Sequence, residues 1–235
     1  GYLVGALRHF IASHFECALA QQRVQRARST FSLHVCRCSA AAPPRRLFPP
    51  MPALRYRHIV WDWNGTLLDD VDYSIACMNG LRDRRRLPLL DRARYHELFD
   101  FPVRDYYYRL GFDPAQDTFE RLSVEFISAY DADRWGCHLH GGTPEILAAV
   151  TGAGATQSIL SAYRHETLHE IVAHFGLAPH FIRLTGLDNI FAYSKAGFGR
   201  AWIEELGLPP AEVLMVGDTL HDLDVARHMG VDCVL

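Results

Sequence analysis

Short apolar runs alternate with segments of helical periodicity from residue 56 onward, and this alternation constrains the fold more than any other feature. The runs predict strands at 56–61, 157–163, 181–186, 213–218 and 232–235. The segments between the later runs predict helices at 166–176, 195–207 and 223–230. Strands that alternate with helices of about ten residues indicate parallel βαβ units. We therefore expect an α/β fold with a Rossmann-like parallel sheet core.

A helical block interrupts the alternation after the first strand. Phe119, Leu122, Phe126 and Tyr130 recur at helical spacing within it. We interpret the block as an inserted helical cap over 72–140, with the α/β core built from 51–71 and 141–235.

The first 50 residues differ in composition from the rest. They hold seven arginines and one acid, Glu16, whereas the whole chain has 24 basic and 27 acidic residues, so residues 51–235 carry 17 bases and 26 acids. Such an Arg-rich, acid-poor opening is typical of an organellar transit peptide. The alternative is an over-extended reading frame with Met51 as the true start. We expect 1–50 to be disordered and exclude it from fold arguments.

The composition of the remainder excludes several classes of partner. An acidic body disfavours nucleic acid as the main ligand, and no apolar run approaches the roughly 20 residues of a membrane span. The whole chain has six cysteines without a CxxC pair, three of them within 1–50, which favours reduced thiols in a cytosol-like compartment. We predict a cytoplasmic protein, or an organellar one if 1–50 is a transit peptide, that acts as a monomer or homodimer.

Chemically capable side chains follow the predicted strands. Ligands of open parallel sheets bind beyond the carboxyl ends of the strands. The residues found there are Asp62, Asn64, Gly65, Thr66, Ser161, Lys195, Asp218 and Asp222. Carboxylates hold Mg²⁺, cations and polar groups neutralise phosphoryl oxygens, and a carboxylate can attack phosphorus. The set therefore favours magnesium-assisted phosphoryl transfer.

Lys195 is the only lysine in a chain with 23 arginines. An ammonium is a compact point charge, whereas a guanidinium is a wide planar fork. We infer that a lysine at the mouth of the sheet is required for its shape.

Four motifs in order resemble the haloacid dehalogenase (HAD) superfamily, and in particular its phosphatases with a small helical cap. They are IVWDWNGT at 59–66, SILS at 158–161, SKAGF at 194–198 and VGDTLHD at 216–222. The cap stretch FDFPVRDYYYRLGFD also looks like that of phosphoglycolate phosphatase-like members.

The resemblance implies a role for each matching position. Asp62 would be the nucleophile and a Mg²⁺ ligand, and Asn64 would offer its backbone carbonyl to the metal. Asp218 would ligate the metal directly, and Asp222 would do so directly or through water. The phosphate would be held by Gly65, Thr66, Ser161 and Lys195.

Asn64 departs from the family pattern, which usually has a second Asp there to protonate the leaving oxygen and activate water. An amide cannot exchange protons in this way, and acid–base help contributes about 10²–10⁴ in rate. Another group could supply the proton, with His221 and Asp69 the nearest in sequence. Alternatively, the leaving group needs little protonation, or turnover is slow and the protein mainly binds its ligand.

We therefore predict a Mg²⁺-dependent phosphatase that hydrolyses a small, phosphoglycolate-like metabolite through an aspartyl phosphate. The alternatives are a weak or non-catalytic phosphometabolite-binding protein and a HAD hydrolase of different chemistry. In the cap, the run RDRRR at 82–86 predicts a solvated helix face or an anion-attracting patch. The tyrosines at 106–108 are expected to pack the cap, with one ring facing the ligand.

Overall fold

A computed structural model describes residues 55–191 and 195–235. The predicted N-terminal extension over 1–50 lies outside the described residues. The described residues form a five-stranded parallel sheet. Its strands are β1 His58–Trp61, β4 Thr156–Arg164, β5 Arg183–Leu187, β6 Val213–Val216 and β7 Asp232–Val234, and their order in the sheet is β5-β4-β1-β6-β7. The predicted α/β parallel sheet is confirmed.

Helices flank the sheet and form the inserted block. The inserted helices are α1 Val71–Asp83, α2 Arg92–Leu98, α3 Val103–Arg109 and α4 Phe119–Asp133. The helices of the sheet layers are α5 Thr143–Gly152, α6 His165–His174, α7 Ala196–Leu206 and α8 Leu220–Met229. Within the described ranges, short 3-10 helices lie at Arg134–Gly136, Ala178–His180 and Pro210–Glu212.

A two-stranded antiparallel ribbon joins the inserted helices to the sheet. Strand β2, Leu68–Asp69, leads out toward α1, and β3, His138–Leu139, returns from α4. Leu68 pairs with Leu139 and Asp69 with His138. The two chain connections between the core and the inserted helices therefore run side by side, and all four inserted helices are joined to the core at this ribbon. We call the segment 71–136 the cap; the predicted domain limits at 72 and 140 stay a prediction.

The core and the cap each have an apolar interior. Strand β1 is buried along its whole length, as expected for a central parallel strand that is covered on both faces. The cap has its own cluster, whose larger members are Met78, Leu81, Tyr106, Tyr107, Phe119 and Leu122. Tyr106 and Tyr107 thus pack the cap as expected. None of the helices in the described ranges is long and apolar enough to cross a membrane.

The cap run at 82–86 is only partly a solvated face: Asp83, Arg84 and Arg86 are exposed, whereas Arg82 and Arg85 are not. Arg82 is 6% exposed, and its guanidinium donates to the carbonyl of Pro88 at 2.7 Å and to that of Leu110. Arg85 donates to Asp117 at 2.8 Å. Both arginines therefore join segments of the cap, and their donors are used within it. The sequence-based expectation of a solvated or anion-attracting run is wrong for these two residues, because arginine stems bury readily when carbonyls satisfy the head group.

Candidate active site

The carboxyl ends of β1 and β6 bring three carboxylates together. Asp62 directly follows β1, and its amide donates to the Val216 carbonyl at 2.8 Å. Asp218 follows β6 after one glycine, and Asp222 lies in the first turn of α8. One oxygen from each of Asp62, Asp218 and Asp222 lies within 4.8 Å of the others. The adjacent parallel strands thus place distant sequence positions at one edge of the sheet.

These carboxylates fit a divalent cation. Magnesium prefers hard oxygen ligands and is usually held by a few carboxylates together with waters and substrate phosphate. Three ionised carboxylates carry a charge of −3 and Lys195 supplies +1, so a divalent cation would neutralise the cluster. Asp62, Asp218 and Asp222, with the backbone carbonyl of Asn64, are the residues that would hold it.

Lys195 lies against two of the three acids. It directly precedes α7, and its side chain is 3% exposed. Its ammonium contacts an oxygen of Asp62 and lies 2.7 Å from Oδ1 of Asp222. Burial lowers the pKa of Lys195, but the two carboxylates outweigh burial and the net pKa is raised. The side chain is therefore an ammonium at neutral pH.

The acids differ in their surroundings. Burial raises the pKa of Asp62 well above its usual range; Lys195 opposes this, and the charges of Asp222 and Asp218 add to it. Burial likewise raises the pKa of Asp218 to about 7, with Asp222 as the second cause. Asp218 is the solvent-accessible member of the group, although protein surrounds it on most sides. Bringing a cation to these carboxylates would favour their ionised forms.

Asp222 is the acid most firmly held by the protein. Its Oδ2 accepts from the Thr219 hydroxyl at 2.7 Å and from the amides of Thr219 and Asp218 at 3.1 and 3.2 Å. Burial raises its pKa, but Lys195 and Thr219 outweigh burial and the net pKa is lowered. Thr219 also caps α8 through a reciprocal capping box with Asp222. A fully ionised, fixed Asp222 can thus orient the lysine.

Two glycines permit the close approach of these loops. Gly65 has φ +74°, and a Cβ there would lie 2.3 Å from Oδ2 of Asp218. A Cβ on Gly217 would lie 2.4 Å from Asp222. Only glycine gives both the left-handed backbone at 65 and the space for the acid beside it. The amide of Gly65 donates to Leu68 and Asp70 within the turn.

The two predicted hydroxyl ligands lie at the same edge. Thr66 donates to Oδ1 of Asp218 at 3.1 Å. Ser161 is buried, and its oxygen accepts from the Tyr163 amide at 3.1 Å. The sequence placed Ser161 just past a strand, whereas β4 continues to Arg164. Because β1 pairs with β4 only as far as Ile159, Ser161 still extends beyond the end of the neighbouring strand.

Asn64 lies beside a buried acid that the sequence argument missed. The amide nitrogen of Asn64 donates to Oδ2 of Asp70 at 2.8 Å and to the Tyr130 hydroxyl at 3.2 Å. Asp70 also accepts from that hydroxyl at 2.7 Å and from the Gly65 amide at 2.9 Å. It is 4% exposed and lines the cavity above the carboxylates. Burial raises the pKa of Asp70 despite these hydrogen bonds.

The two proton donors considered from the sequence are placed differently. The Asp69 side chain is half exposed and lies 3.9 Å from Nδ1 of His140, and Asp69 is not among the residues that line the cavity. His221 does line it and stacks on the cap residue Phe101, with ring centroids 3.9 Å apart. Burial lowers the pKa of His221.

The cap covers the site and leaves a cavity of about 190 Å³ between cap and core. Asp62, Lys195 and Asp218 lie on its core side. Its aromatic lining includes Tyr95, Phe99, Phe101, Tyr106, Tyr130 and Tyr163. The cavity therefore has a charged end on the core and a largely aromatic end beneath the cap.

These features define the class of protein as a cap-covered α/β hydrolase. They are an acid after the central strand of a parallel sheet, a lysine before a later helix and two further acids after β6. Residues 59–235 match the family model described as haloacid dehalogenase-like hydrolase. The chain belongs to this family, and the resemblance noted from its motifs is confirmed.

Curated relatives include two phosphatases. A 5'-nucleotidase from Pseudomonas aeruginosa is 28% identical over 77% of this chain and 83% of its own length. An N-acetylmuramic acid 6-phosphate phosphatase from Pseudomonas putida is 28% identical over 75% of this chain and 81% of its own. A haloacid dehalogenase-like family protein from Streptococcus pneumoniae superposes with a TM-score of 0.66 at 18% identity, over 76% of this chain and 83% of its own, which shows the shared fold.

Proposed function

We propose that this chain is a Mg²⁺-dependent phosphatase that hydrolyses a small phosphorylated metabolite through an aspartyl phosphate on Asp62. The observation that carries the proposal is the convergence of Asp62, Asp218 and Asp222 at the charged end of one cavity, where Lys195 contacts Asp62 and Asp222. The relatives named as a 5'-nucleotidase and as an N-acetylmuramic acid 6-phosphate phosphatase support the reaction class. Phosphoglycolate is one candidate substrate, which the sequence resemblance suggests.

The chemistry divides between the chain's own residues. A carboxylate oxygen of Asp62 forms a bond to phosphorus while the bond to the leaving oxygen breaks, and that oxygen departs with the electron pair. Lys195 neutralises charge on the phosphoryl oxygens, and the Ser161 hydroxyl orients them. Thr66, which the resemblance also assigns to the phosphate, donates its proton to Asp218 in a hydrogen bond and holds that carboxylate in place. Water then attacks the aspartyl phosphate at phosphorus, which restores Asp62 and releases inorganic phosphate. A bound magnesium ion would supply charge neutralisation at the phosphoryl group.

The leaving oxygen needs a proton from a group other than Asn64. Asp70 and His221 line the cavity and are the side chains we assign as candidates. If neither transfers a proton, turnover is limited to esters whose leaving oxygen is already a stable anion. The Asn64 amide, held by Asp70 and Tyr130, is the one observation that favours the second candidate function, a phosphometabolite-binding protein with little turnover.

Release of phosphate from phenyl phosphate, with and without Mg²⁺, tests the proposal. Asp62→Asn should abolish it. The matched control is Asp72→Asn, because Asp72 is 79% exposed on α1 and lies outside the cavity. Unchanged activity in Asp62→Asn would refute the assignment of the nucleophile, and binding without turnover in the unmodified protein would favour the second function.

Metal binding has a readout that does not require turnover. Mg²⁺ should raise the unfolding temperature of the unmodified protein, because a ligand that binds only the folded state stabilises it. Asp218→Asn should remove most of that shift. An equal shift in both proteins would mean that the metal binds elsewhere. Cytoplasmic location and a monomeric or homodimeric state stay predictions.

A further inference from the structure

The aromatic end of the cavity determines what kind of leaving group it can accept. Tyr95, Phe99 and Tyr106 pack against one another, with Tyr95 and Phe99 stacked at 4.9 Å and Phe99 and Tyr106 edge to face at 5.1 Å. Phe101 lies next to them and is stacked on His221. Ring faces and edges fixed in this way offer flat apolar contact area at low entropic cost. This end of the cavity is suited to a planar ring.

In the described part of the chain, the aromatic end of the cavity offers no free cation to a small anionic leaving group. Among the described lining residues, the permanently charged cations are Lys195 and Arg164. Lys195 is occupied by Asp62 and Asp222. Arg164 is 48% exposed and lies 3.3 Å from a carboxylate oxygen of Glu166. A second anionic group, such as the carboxylate of phosphoglycolate, would enter an acidic cavity in which both of these cations already contact carboxylates, and this costs binding energy.

The amide at position 64 points to the same class of substrate. A leaving alkoxide requires protonation, because simple alcohols are about as weakly acidic as water, whose pKa is roughly 16. A phenol is far more acidic, with a pKa of about 10. An aryl oxide therefore departs with much less help from an acid. Asn64 cannot give that help. Cavity shape and loop chemistry therefore agree, although they rest on different residues.

We propose that the substrate is a phosphate monoester of an aryl hydroxyl, whose ring lies among Tyr95, Phe99, Phe101 and Tyr106 while its phosphate meets Asp62 and Lys195. This proposal rests on the proposed phosphatase function and names the substrate class of the same site. In the first step a carboxylate oxygen of Asp62 forms a bond to phosphorus while the bond to the ring oxygen breaks. The ring oxygen leaves with the electron pair as the aryl oxide and then takes a proton from Asp70, His221 or water.

The test compares three phosphonates, in which a CH₂ group replaces the ester oxygen and blocks hydrolysis. Benzylphosphonate mimics phenyl phosphate, cyclohexylmethylphosphonate has the same ring size without a flat face, and 3-phosphonopropionate mimics phosphoglycolate. With Mg²⁺ present, calorimetry should find benzylphosphonate bound about threefold to tenfold tighter than either of the others. Equal or weaker binding of benzylphosphonate would overturn the proposal.

A pair of variants localises the effect. Phe101→Leu keeps apolar volume but removes one ring face, and it should weaken benzylphosphonate about twofold to tenfold while changing cyclohexylmethylphosphonate little. Phe198→Leu makes the same change on α7, at a 44% exposed side chain outside the cavity, and should alter neither. An equal loss for both phosphonates in Phe101→Leu would overturn the ring assignment. If Phe101→Leu fails to fold, the comparison on the unmodified protein still decides.

The binding and turnover results separate the two proposals. Preferential binding of benzylphosphonate without hydrolysis of phenyl phosphate would refute the phosphatase function and support the ring-binding cavity. Conversely, hydrolysis of phosphoglycolate with a higher kcat/KM than phenyl phosphate, together with tighter binding of 3-phosphonopropionate, would support the phosphatase and overturn the aryl specificity.

Discussion

The side-chain amide of Asn64 donates a hydrogen bond of 2.8 Å to the carboxylate of Asp70. The donor belongs to the loop that follows the central strand, and the acceptor directly precedes the first cap helix. The Tyr130 hydroxyl, from the last cap helix, completes the group. The amide, the carboxylate and the phenol thus connect the loop after Asp62 to both ends of the cap. A carboxyl group is expected at position 64, and here it belongs to Asp70, the hydrogen-bond partner of Asn64.

Exchanging the two side chains tests this arrangement. Asn64→Asp alone would put two carboxylates in contact, which disfavours ionisation of the pair and destabilises the loop. The double exchange Asn64→Asp/Asp70→Asn restores an amide–carboxylate hydrogen bond in the opposite sense. We expect the single variant to unfold at a lower temperature than the double variant. We also expect the double variant to gain up to about 10²-fold in kcat toward an alkyl phosphate.

The substrate series gives the control for this exchange. The gain should be smaller for phenyl phosphate, because its leaving oxygen needs less protonation. If the single variant is both more stable and faster than the double variant, the contact with Asp70 has no bearing on position 64.

The sheet and the residues beyond its strands could be predicted because each strand has its own apolar run and because parallel strands end at one edge. Asp70 could not. It follows Asp69 in the sequence, and neighbouring side chains of an extended segment point in opposite directions. Whether Asp69 or Asp70 faces inward depends on the turn at Gly65 and on the ribbon formed by β2 and β3. Both are too short to show a repeating pattern of apolar residues in the sequence.

The aromatic end of the cavity could be predicted only in part: the sequence predicts one ring of the tyrosines at 106–108 facing the ligand, whereas Tyr106 and Tyr107 both line the cavity together with rings that no pattern indicated. The helical spacing of cap residues predicts that one face is buried, but rings that pack the cap and rings that line a ligand cavity have the same spacing. Tyr107 and Phe126 belong to the cap cluster and also line the cavity. Only the placement of the cap on the core separates the two roles.

Tyr130→Phe should weaken the closed contact between cap and core. The hydroxyl that it removes donates to the buried carboxylate of Asp70, and hydrogen bonds to charged groups contribute about 1.5–3 kcal/mol. We expect the free energy of unfolding in urea to fall by about 2 kcal/mol. Tyr108→Phe, at a half-buried cap tyrosine, is the matched control and should change it by less than about 0.5 kcal/mol. Equal effects of the two variants would argue against the Tyr130–Asp70 bond as a stabilising contact.

Lys195→Met should make folding depend on magnesium. It removes the ammonium that lies between Asp62 and Asp222, and the loss of one partner from a buried ion pair costs about 3–5 kcal/mol. A divalent cation at the same carboxylates would offset part of that loss. The Mg²⁺-induced rise in unfolding temperature should therefore be larger in Lys195→Met than in the unmodified protein.

Lys195→Arg separates charge from shape at this position. It keeps the positive charge and should retain more stability than Lys195→Met, yet it should lose phosphatase activity, because the wide guanidinium does not fit a side-chain site that is 3% exposed. Full activity in Lys195→Arg would show that the charge alone suffices.

His58 should make the stability of the core depend on pH. Its ring is fully buried between β1 and β4, with Nδ1 2.7 Å from the Thr156 hydroxyl and Nε2 2.8 Å from that of Ser158. Burial lowers the pKa of His58 to about 4, so the folded state binds the proton less well than the unfolded state, whose pKa is about 6.5. The stabilisation by the neutral ring is complete above about pH 6.5 and is lost as the pH falls toward 4. The loss amounts to about 3 kcal/mol of the free energy of unfolding.

Urea unfolding of the unmodified protein between pH 7.5 and 4 measures this loss. His58→Gln should lower the slope of the unfolding free energy against pH over this interval. His228→Gln, at an exposed ring on α8, should leave that slope unchanged. Equal slopes in the unmodified protein and His58→Gln would mean that other groups cause the acid sensitivity.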